Sequence, residues 1–248
     1  MKTLYIDCTN GISGDMLRRV LMELAGLEEA TEENYGHGDH GGHRHGHNHE
    51  HFHRSYADVR KIIEESDKSG DAKDTALSIY EVIAKAEAKV HEESLETIHF
   101  HEVGRDQAIA NALGIGQALE KLGITRSEII SETARIVVSS ICDGNGFVDC
   151  AHGRIPVPVP AVRAMMDECG RKPEGGTGCY PAYEFRTIEE VETEMVTPSG
   201  LACLIGIGAV PAGDGGMMFM EGQIKAAAEV TGTRDTGRGG LRAYLIEK

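Results

Sequence analysis

Residues 28–54 constrain this chain most, because they cannot help to build a core. The stretch follows neither a 2-residue nor a 3.6-residue apolar period, and it carries eight of the twelve histidines, between positions 37 and 53. A polar run of that composition buries too little apolar surface to offset its ordering entropy, so it reads as a His-rich flexible loop. The fold must then come from a short N-terminal piece and the residues after 54. A chain of 248 residues, 40% of them hydrophobic, is long enough to do this with a sizeable core.

Residues 3–7 (TLYID) read as a short buried strand, followed by the loop Cys8-Thr9-Asn10-Gly11-Ile12-Ser13-Gly14-Asp15. A helix follows over 16–24, with Met16, Leu17, Val20, Leu21 and Leu24 at helical spacing. Ser55 is placed to cap a helix that starts at Tyr56, and an amphipathic helix is expected over 71–93. Residues 97–104 alternate like a strand, and a helix over 106–122 stops at Gly123. A β-branched strand over 134–141, the turn Gly144-Asn145-Gly146 and a strand over 147–150 together predict a hairpin. Pro156, Pro158 and Pro160 forbid both helix and central strand, which predicts a stiff ribbon laid on the surface before a helix over 161–169. Pro198 suits the first turn of a helix over 199–207, and closing strands are expected over 217–229 and 241–246. These elements predict one α+β domain over 1–248, with a mixed sheet and about five helices. The alternative is an α/β sheet with the 7–15 loop at a strand's carboxyl end.

The charge balance narrows the partners. Twenty-five basic against 40 acidic residues leave −15, a field that repels nucleic acid and anionic membranes and concentrates cations. Aromatic residues are 5% with no Trp, which argues against base-stacking platforms. The longest uncharged stretch, 195–213, is too broken by Pro and Gly for a bilayer span. The N-terminus shows no apolar leader, and the six cysteines form no CxxC pair, so free thiols in a cytoplasmic compartment are expected.

Five groups of residues can carry chemistry. His43, His45, His47, His49, His51 and His53 alternate, so an extended backbone would set them along one edge. Neutral imidazoles suit nickel, zinc, cobalt and copper; the plainer reading is a solvated linker. His99 and His101 would share one face of a strand and ligate a metal jointly, with Glu102 pointing away, or they are surface residues beside a buried Phe100. In Cys150-Ala151-His152-Gly153-Arg154, His152 is an acid/base or ligand candidate and Arg154 a partner for phosphate or carboxylate, unless the segment is only a turn. The glycine loop from Asp7 to Asp15 leads into a helix N-terminus, an anion site, or its two carboxylates hold a cation. It lacks a phosphate-binding lysine, which disfavours a phosphotransferase, and a tight turn alone explains it equally well. Gly232-Thr233-Arg234-Asp235, with Arg238 and Arg242, is a basic patch for an anionic ligand, or a solvated loop.

Taken in order, these residues resemble one family, the LarC-type nickel insertion proteins of the nickel-pincer-nucleotide cofactor pathway. The matching stretches are Asp7-Cys8 with Gly11-Ile12-Ser13-Gly14-Asp15-Met16, the His tract into His53-Arg54-Ser55-Tyr56, and His99-Phe100-His101-Glu102-Val103-Gly104. To these add Gly144-x-Gly146-Phe147-Val148 with Cys150-x-His152-Gly153 and the three prolines, Glu194 with Thr197-Pro198-Ser199-Gly200, and Gly232-Thr233-Arg234-Asp235. The resemblance implies CTP-dependent insertion of nickel into a pyridinium mononucleotide bearing two thio-acid groups, with two Ni–S bonds and one Ni–C bond formed. It implies catalytic roles for His101, Glu102 and His152, with His101 and His152 both open as the base that takes the ring proton. It implies nucleotide contacts from Asp7, Gly11, Ser13, Gly14, Asp15, Arg154, Thr197 and Arg234, and nickel ligation by the six alternating histidines with His99 and His101. Departures are Gln107 and Asn111, where the family is commonly acidic, Ala228 and Val230 in place of glycines, and Gly239-Gly240 before the last strand. The family's C-terminal nucleotide-using domain is expected to be absent or supplied by a separate chain, with self-association left open. A non-enzymatic nickel or zinc store or metallochaperone is the competing reading.

Overall fold

The computed structural model describes residues 1–28, 54–150, 153–169, 181–213 and 216–248. In chain order they form β1 (Lys2–Asp7), α1 (Gly14–Ala25), β2 (Arg54–Ser55), α2 (Tyr56–Glu65), α3 (Gly70–His91), β3 (His99–Phe100), α4 (Asp106–Leu122) and α5 (Arg126–Ile130). There follow β4 (Ala134–Val138), β5 (Ile141–Asp143), β6 (Phe147–Cys150), β7 (Gly153–Pro156), α6 (Pro160–Glu168), β8 (Phe185–Thr187), α7 (Pro198–Gly206), β9 (Val210–Pro211), β10 (Gln223–Val230) and β11 (Leu241–Glu247). The fold is α+β. The expected flexible loop over 28–54 falls, but for its end residues, outside the described residues.

The main sheet runs β10-β11-β1-β4-β9. It is mixed: β1 is antiparallel to β11 and parallel to β4, which is in turn parallel to β9. Parallel neighbours need long crossovers, and the helices supply them. β1 is central because Thr3, Leu4, Tyr5 and Ile6 are all buried, as an apolar run covered on both faces must be. One face carries the main core, where α1, α3, α4 and α7 pack through Leu17, Leu21, Ile79, Ile115 and Leu204. A smaller cluster of Tyr5, Val137 and Ile246 lies on the other face under Met217 and Met220.

The helix boundaries follow their capping residues. Ser13 caps α1 by accepting from the Met16 N–H, and Ser55 forms a capping box with Asp58 on α2. Gly123 ends α4 in the left-handed region. Seven helices are seen among the described residues against about five expected. The excess includes α5, a five-residue turn closed by Thr125 and Glu128.

Four local expectations are corrected. The hairpin of 134–141 with 147–150 does not form: β4 joins β1, β5 pairs with β8, and β6 pairs with β7. The chain breaks at Ser139, whose hydroxyl accepts from the Cys8 N–H at 2.8 Å and donates to the Ser140 carbonyl at 2.7 Å. Gly144 then runs tight against residues 191–193 instead of turning back; a Cβ there would lie 2.0 Å from the Thr193 carbonyl oxygen. Of the strand expected over 97–104, only His99 and Phe100 pair, with Ser55 and Arg54. The proline ribbon is not merely laid on the surface: Val157 and Val159 are buried between the prolines, and Pro160 starts α6. The strand expected from 217 begins at Gln223, because residues 216–219 coil into a 3-10 turn that brings Met217 over Tyr5.

Candidate functional site

A cavity of about 420 Å³ opens where the C-terminal end of α3, the segment from His101 into α4, the β6–β7 hairpin and the loop before α7 meet. Each wall has a traceable cause. The stripe Ile79, Ile83, Glu87 and His91 on α3 changes from apolar to polar over its last turns, so its end presents a carboxylate and an imidazole to the cavity. Beyond β3 the chain bends, and the bend is pinned from below. The Tyr80 hydroxyl donates to the Val103 carbonyl at 2.7 Å, and Arg54 donates to the Gly104 carbonyl at 3.0 Å and to Asp106 at 2.5 Å. Burial pushes the Tyr80 phenol up, which keeps it a donor. The bend sets His101 and Glu102 on the wall, and α4 adds Asn111.

The facing wall is built by backbone. Ile12 donates to the Met195 carbonyl at 2.9 Å, and Thr197 donates to the Ile12 carbonyl at 3.0 Å. The buried Asp143 holds the same loop: its Oδ1 accepts from the Gly144, Met195 and Val196 N–H groups at 2.9, 2.8 and 3.0 Å. Its Oδ2 is buried with no hydrogen-bond partner. Burial raises the Asp143 pKa despite the three N–H donors and nearby Arg234. Thr197 caps α7 by accepting from the Gly200 N–H at 3.1 Å, so the N-terminus of that helix faces the cavity.

Glu194 lies on this wall, 7% exposed, with Arg234 Nη2 at 3.1 Å from its Oε2. Arg234 also donates to the Thr193 hydroxyl at 3.2 Å. Burial pushes the Glu194 pKa up to about 7; Arg234 opposes this, while the charges of Asp143 and Glu102 add to it. Cys150 and Cys203 also line the cavity. Burial raises the Cys203 thiol to about 12, which favours its protonated form.

These walls offer imidazole nitrogen, carboxylate oxygen and a half-buried thiol on one side, a donor set suited to a borderline divalent ion. They offer a guanidinium and a helix N-terminus on the other, suited to an anion. The sequence comparison decides which family builds such a cavity: the model for the family described as nickel insertion protein matches residues 37–247. The chain belongs to the nickel insertion protein family.

Its relatives include a protein of Acetivibrio thermocellus, 34% identical over 237 residues that cover 82% of this chain and 51% of the relative. A protein of Desulfitobacterium hafniense strain DCB-2 is 36% identical over 219 residues, covering 82% and 48%. A protein of Alkaliphilus metalliredigens is 30% identical over 290 residues, covering 98% and 60%. All three are named pyridinium-3,5-bisthiocarboxylic acid mononucleotide nickel insertion protein. The chain spans about half the length of the curated relatives it matches. No solved structure matches it.

Of the residues expected from the sequence, this nickel insertion family member brings Gly14, His101, Glu102, Thr197 and Arg234 to one cavity. Gly11 and Ser13 frame it without lining it. Asp7 accepts from Thr9 N–H and hydroxyl at 3.1 and 2.6 Å and faces Arg242 at 3.6 Å. Asp15 faces Arg18 at 3.7 Å and Arg19 at 3.5 Å. His99 is exposed on β3, and Arg154 lies over the Phe147 ring at 4.8 Å. His43, His45, His47, His49, His51, His53 and His152 lie outside the described residues. The sequence reading missed Glu87 and His91, although their place on the Ile79–Ile83 stripe was a usable signal. It also gave Glu194 no role and passed over Asp143, two of whose three partners lie more than 50 residues away. At the commonly acidic positions, Gln107 donates to Asn111 Oδ1 at 3.1 Å.

Proposed function

We propose that this chain inserts nickel into a pyridinium-3,5-bisthiocarboxylic acid mononucleotide. The observation that carries the proposal is the two-sided cavity, in which His101 and Glu102 oppose Arg234 and the α7 N-terminus. Nickel is the cargo, and the nucleotide precursor is the acceptor. Arg234 and the α7 N-terminus hold the acidic end of the mononucleotide, which leaves its thio-acid sulfurs toward His101. Two sulfurs displace the protein ligands to form two Ni–S bonds. As the Ni–C bond forms, the ring C–H electron pair goes to nickel and the proton to a base. His101, His152 and Glu194 are the candidates, and Glu194 has support from its pKa near 7.

The CTP requirement belongs to the proposal through resemblance, with nucleotide use assigned to the region that the longer relatives carry in addition. A cytoplasmic setting is proposed on the five described cysteines, all of them free thiols. Among the described residues no helix is long and apolar enough to cross a membrane. The competing reading, a nickel or zinc store, is favoured by the eight-histidine tract.

The test is to incubate the chain with nickel, CTP and the bisthiocarboxylate mononucleotide, with and without the separately expressed C-terminal region of the Acetivibrio relative, and to look for nickel-bearing product by mass spectrometry. Product is expected, lost on omission of CTP and reduced at least about tenfold in Arg234→Ala. No product under either condition, with nickel still bound to the chain, would overturn insertion and leave storage.

A further inference from the structure

The cavity sets His101, which stands in a sequence motif, beside His91, an imidazole that no relative's name or motif assigns. His91 closes α3 and His101 stands just beyond β3; their ring centroids are 6.1 Å apart at 53°. A metal–nitrogen bond of about 2 Å puts each ring centroid about 3 Å from an ion, so two imidazoles on opposite sides of one ion stand about 6 Å apart. Glu87 Oε2 lies 3.5 Å from His91 Nε2, and both side chains are mostly buried, at 17% and 27% exposed. A carboxylate beside an imidazole fixes the ring and raises its basicity toward a metal. The field agrees: Glu87, Glu102, Asp149 and Glu194 line the cavity against Arg234 as the sole arginine or lysine among the described lining residues.

We propose that His91 and His101 form the docking position for the incoming nickel ion, with Glu87 as the positioning residue for His91. This deepens the nickel insertion reading and rests on it. Among the described residues no group of three or more His, Cys, Asp or Glu is arranged to hold a metal. A pair leaves the remaining coordination positions to water and then to the two thio-acid sulfurs. Soft sulfur donors can then strip the ion from two nitrogens without having to break a closed cage.

The test uses anomalous scattering at the nickel edge from crystals of the full chain soaked in nickel alone, with nickel titration of the variants against a competing chelator. We expect a peak within bonding distance of both rings. His91→Ala and His91→Asn should each weaken the tight nickel class at least tenfold, and Glu87→Gln should weaken it about tenfold. Thermal melts check that each variant folds. Glu87→Gln should also raise the KM for nickel by a larger factor than it lowers kcat, a split that a merely structural role would not produce. A peak confined to residues 37–53, or one touching a single ring, overturns the docking pair, as does an unchanged tight class in both His91 variants. A peak on both rings with no product formed keeps the docking pair and sinks the insertion reading instead, so the two failures are distinguishable.

Discussion

The two walls of the cavity are made by opposite means. On the α7 side, residues 11–15 and 194–199 exchange backbone hydrogen bonds, and Asp143 holds three N–H groups of that loop and its own neighbour. On the α3 side, Glu87, His91, His101 and Glu102 project from a helix end and a bend, half-buried or exposed. Where backbone groups are used up by one another, the wall is rigid and its residues set shape. Where side chains carry the polar groups, the wall can exchange partners with a ligand. The contrast predicts that damage on the first side appears as lost stability and damage on the second as lost chemistry.

The sharpest way to break the contrast is at Gly11. Its φ is +86°, and a Cβ would lie 2.3 Å from the Met195 carbonyl oxygen that accepts from Ile12. Gly11→Ala must adopt a strained backbone and push the two segments apart, and we expect a loss of about 4 kcal/mol or more by urea unfolding. Asp143→Ala follows. It strips three buried N–H groups of their acceptor, for an expected loss of about 3 kcal/mol. Asp143→Asn keeps one carbonyl oxygen for them and should lose less than half as much. If the two substitutions destabilise equally, the three-donor clamp is not what holds the loop.

How much of this was legible in the sequence depends on how local the cause is. The β1 strand, the Ser55 and Gly123 caps, and the helix after Pro198 were readable because neighbouring residues decide them. The hairpin expected around residues 144–146 failed because strand pairing is chosen by distant partners: β8 takes β5, and the carbonyls of 191–193 take the turn. The same distinction separates the site residues. His101 and Thr197 stood in recognisable motifs, whereas Asp143 acquires its role only when Met195 folds against it. The pairing of Asp7 with Arg242 was not legible, because Arg242 is remote in sequence. The Asp15 ion pairs were local enough to read, since Arg18 and Arg19 follow at i+3 and i+4.

Glu194 lies on the α7 wall yet feels the charge of Glu102 on the other, and pH sharpens its place between shape and chemistry. Burial raises its carboxyl from 4.5 to about 7, so the native state binds that proton more tightly than the unfolded chain does. The stability it contributes is therefore fully present below pH 4.5 and is lost as pH rises through about 7. Glu194→Gln cannot ionise. Its stability relative to the parent should grow across that window by roughly 2–3 kcal/mol and level off above it. A gap that stays constant with pH would mean that Arg234 holds Glu194 charged throughout, and it would remove this residue's support as a base.

The smallest stability effect is expected at His101, and its smallness is the point. The bend that carries it is held by Tyr80 on the Val103 carbonyl and by Arg54 on the Gly104 carbonyl, and neither bond involves the imidazole. Its ring is only partly buried, so His101→Ala removes modest apolar contact and should change the unfolding free energy measured in urea by no more than about 0.5 kcal/mol. The same variant should lose nickel transfer at least tenfold, which inverts the pattern expected of Gly11→Ala and Asp143→Ala. A loss of 2 kcal/mol or more at His101, about the size expected for a framing residue, would show that both walls are structural and that the division between shape and chemistry lies elsewhere in the cavity.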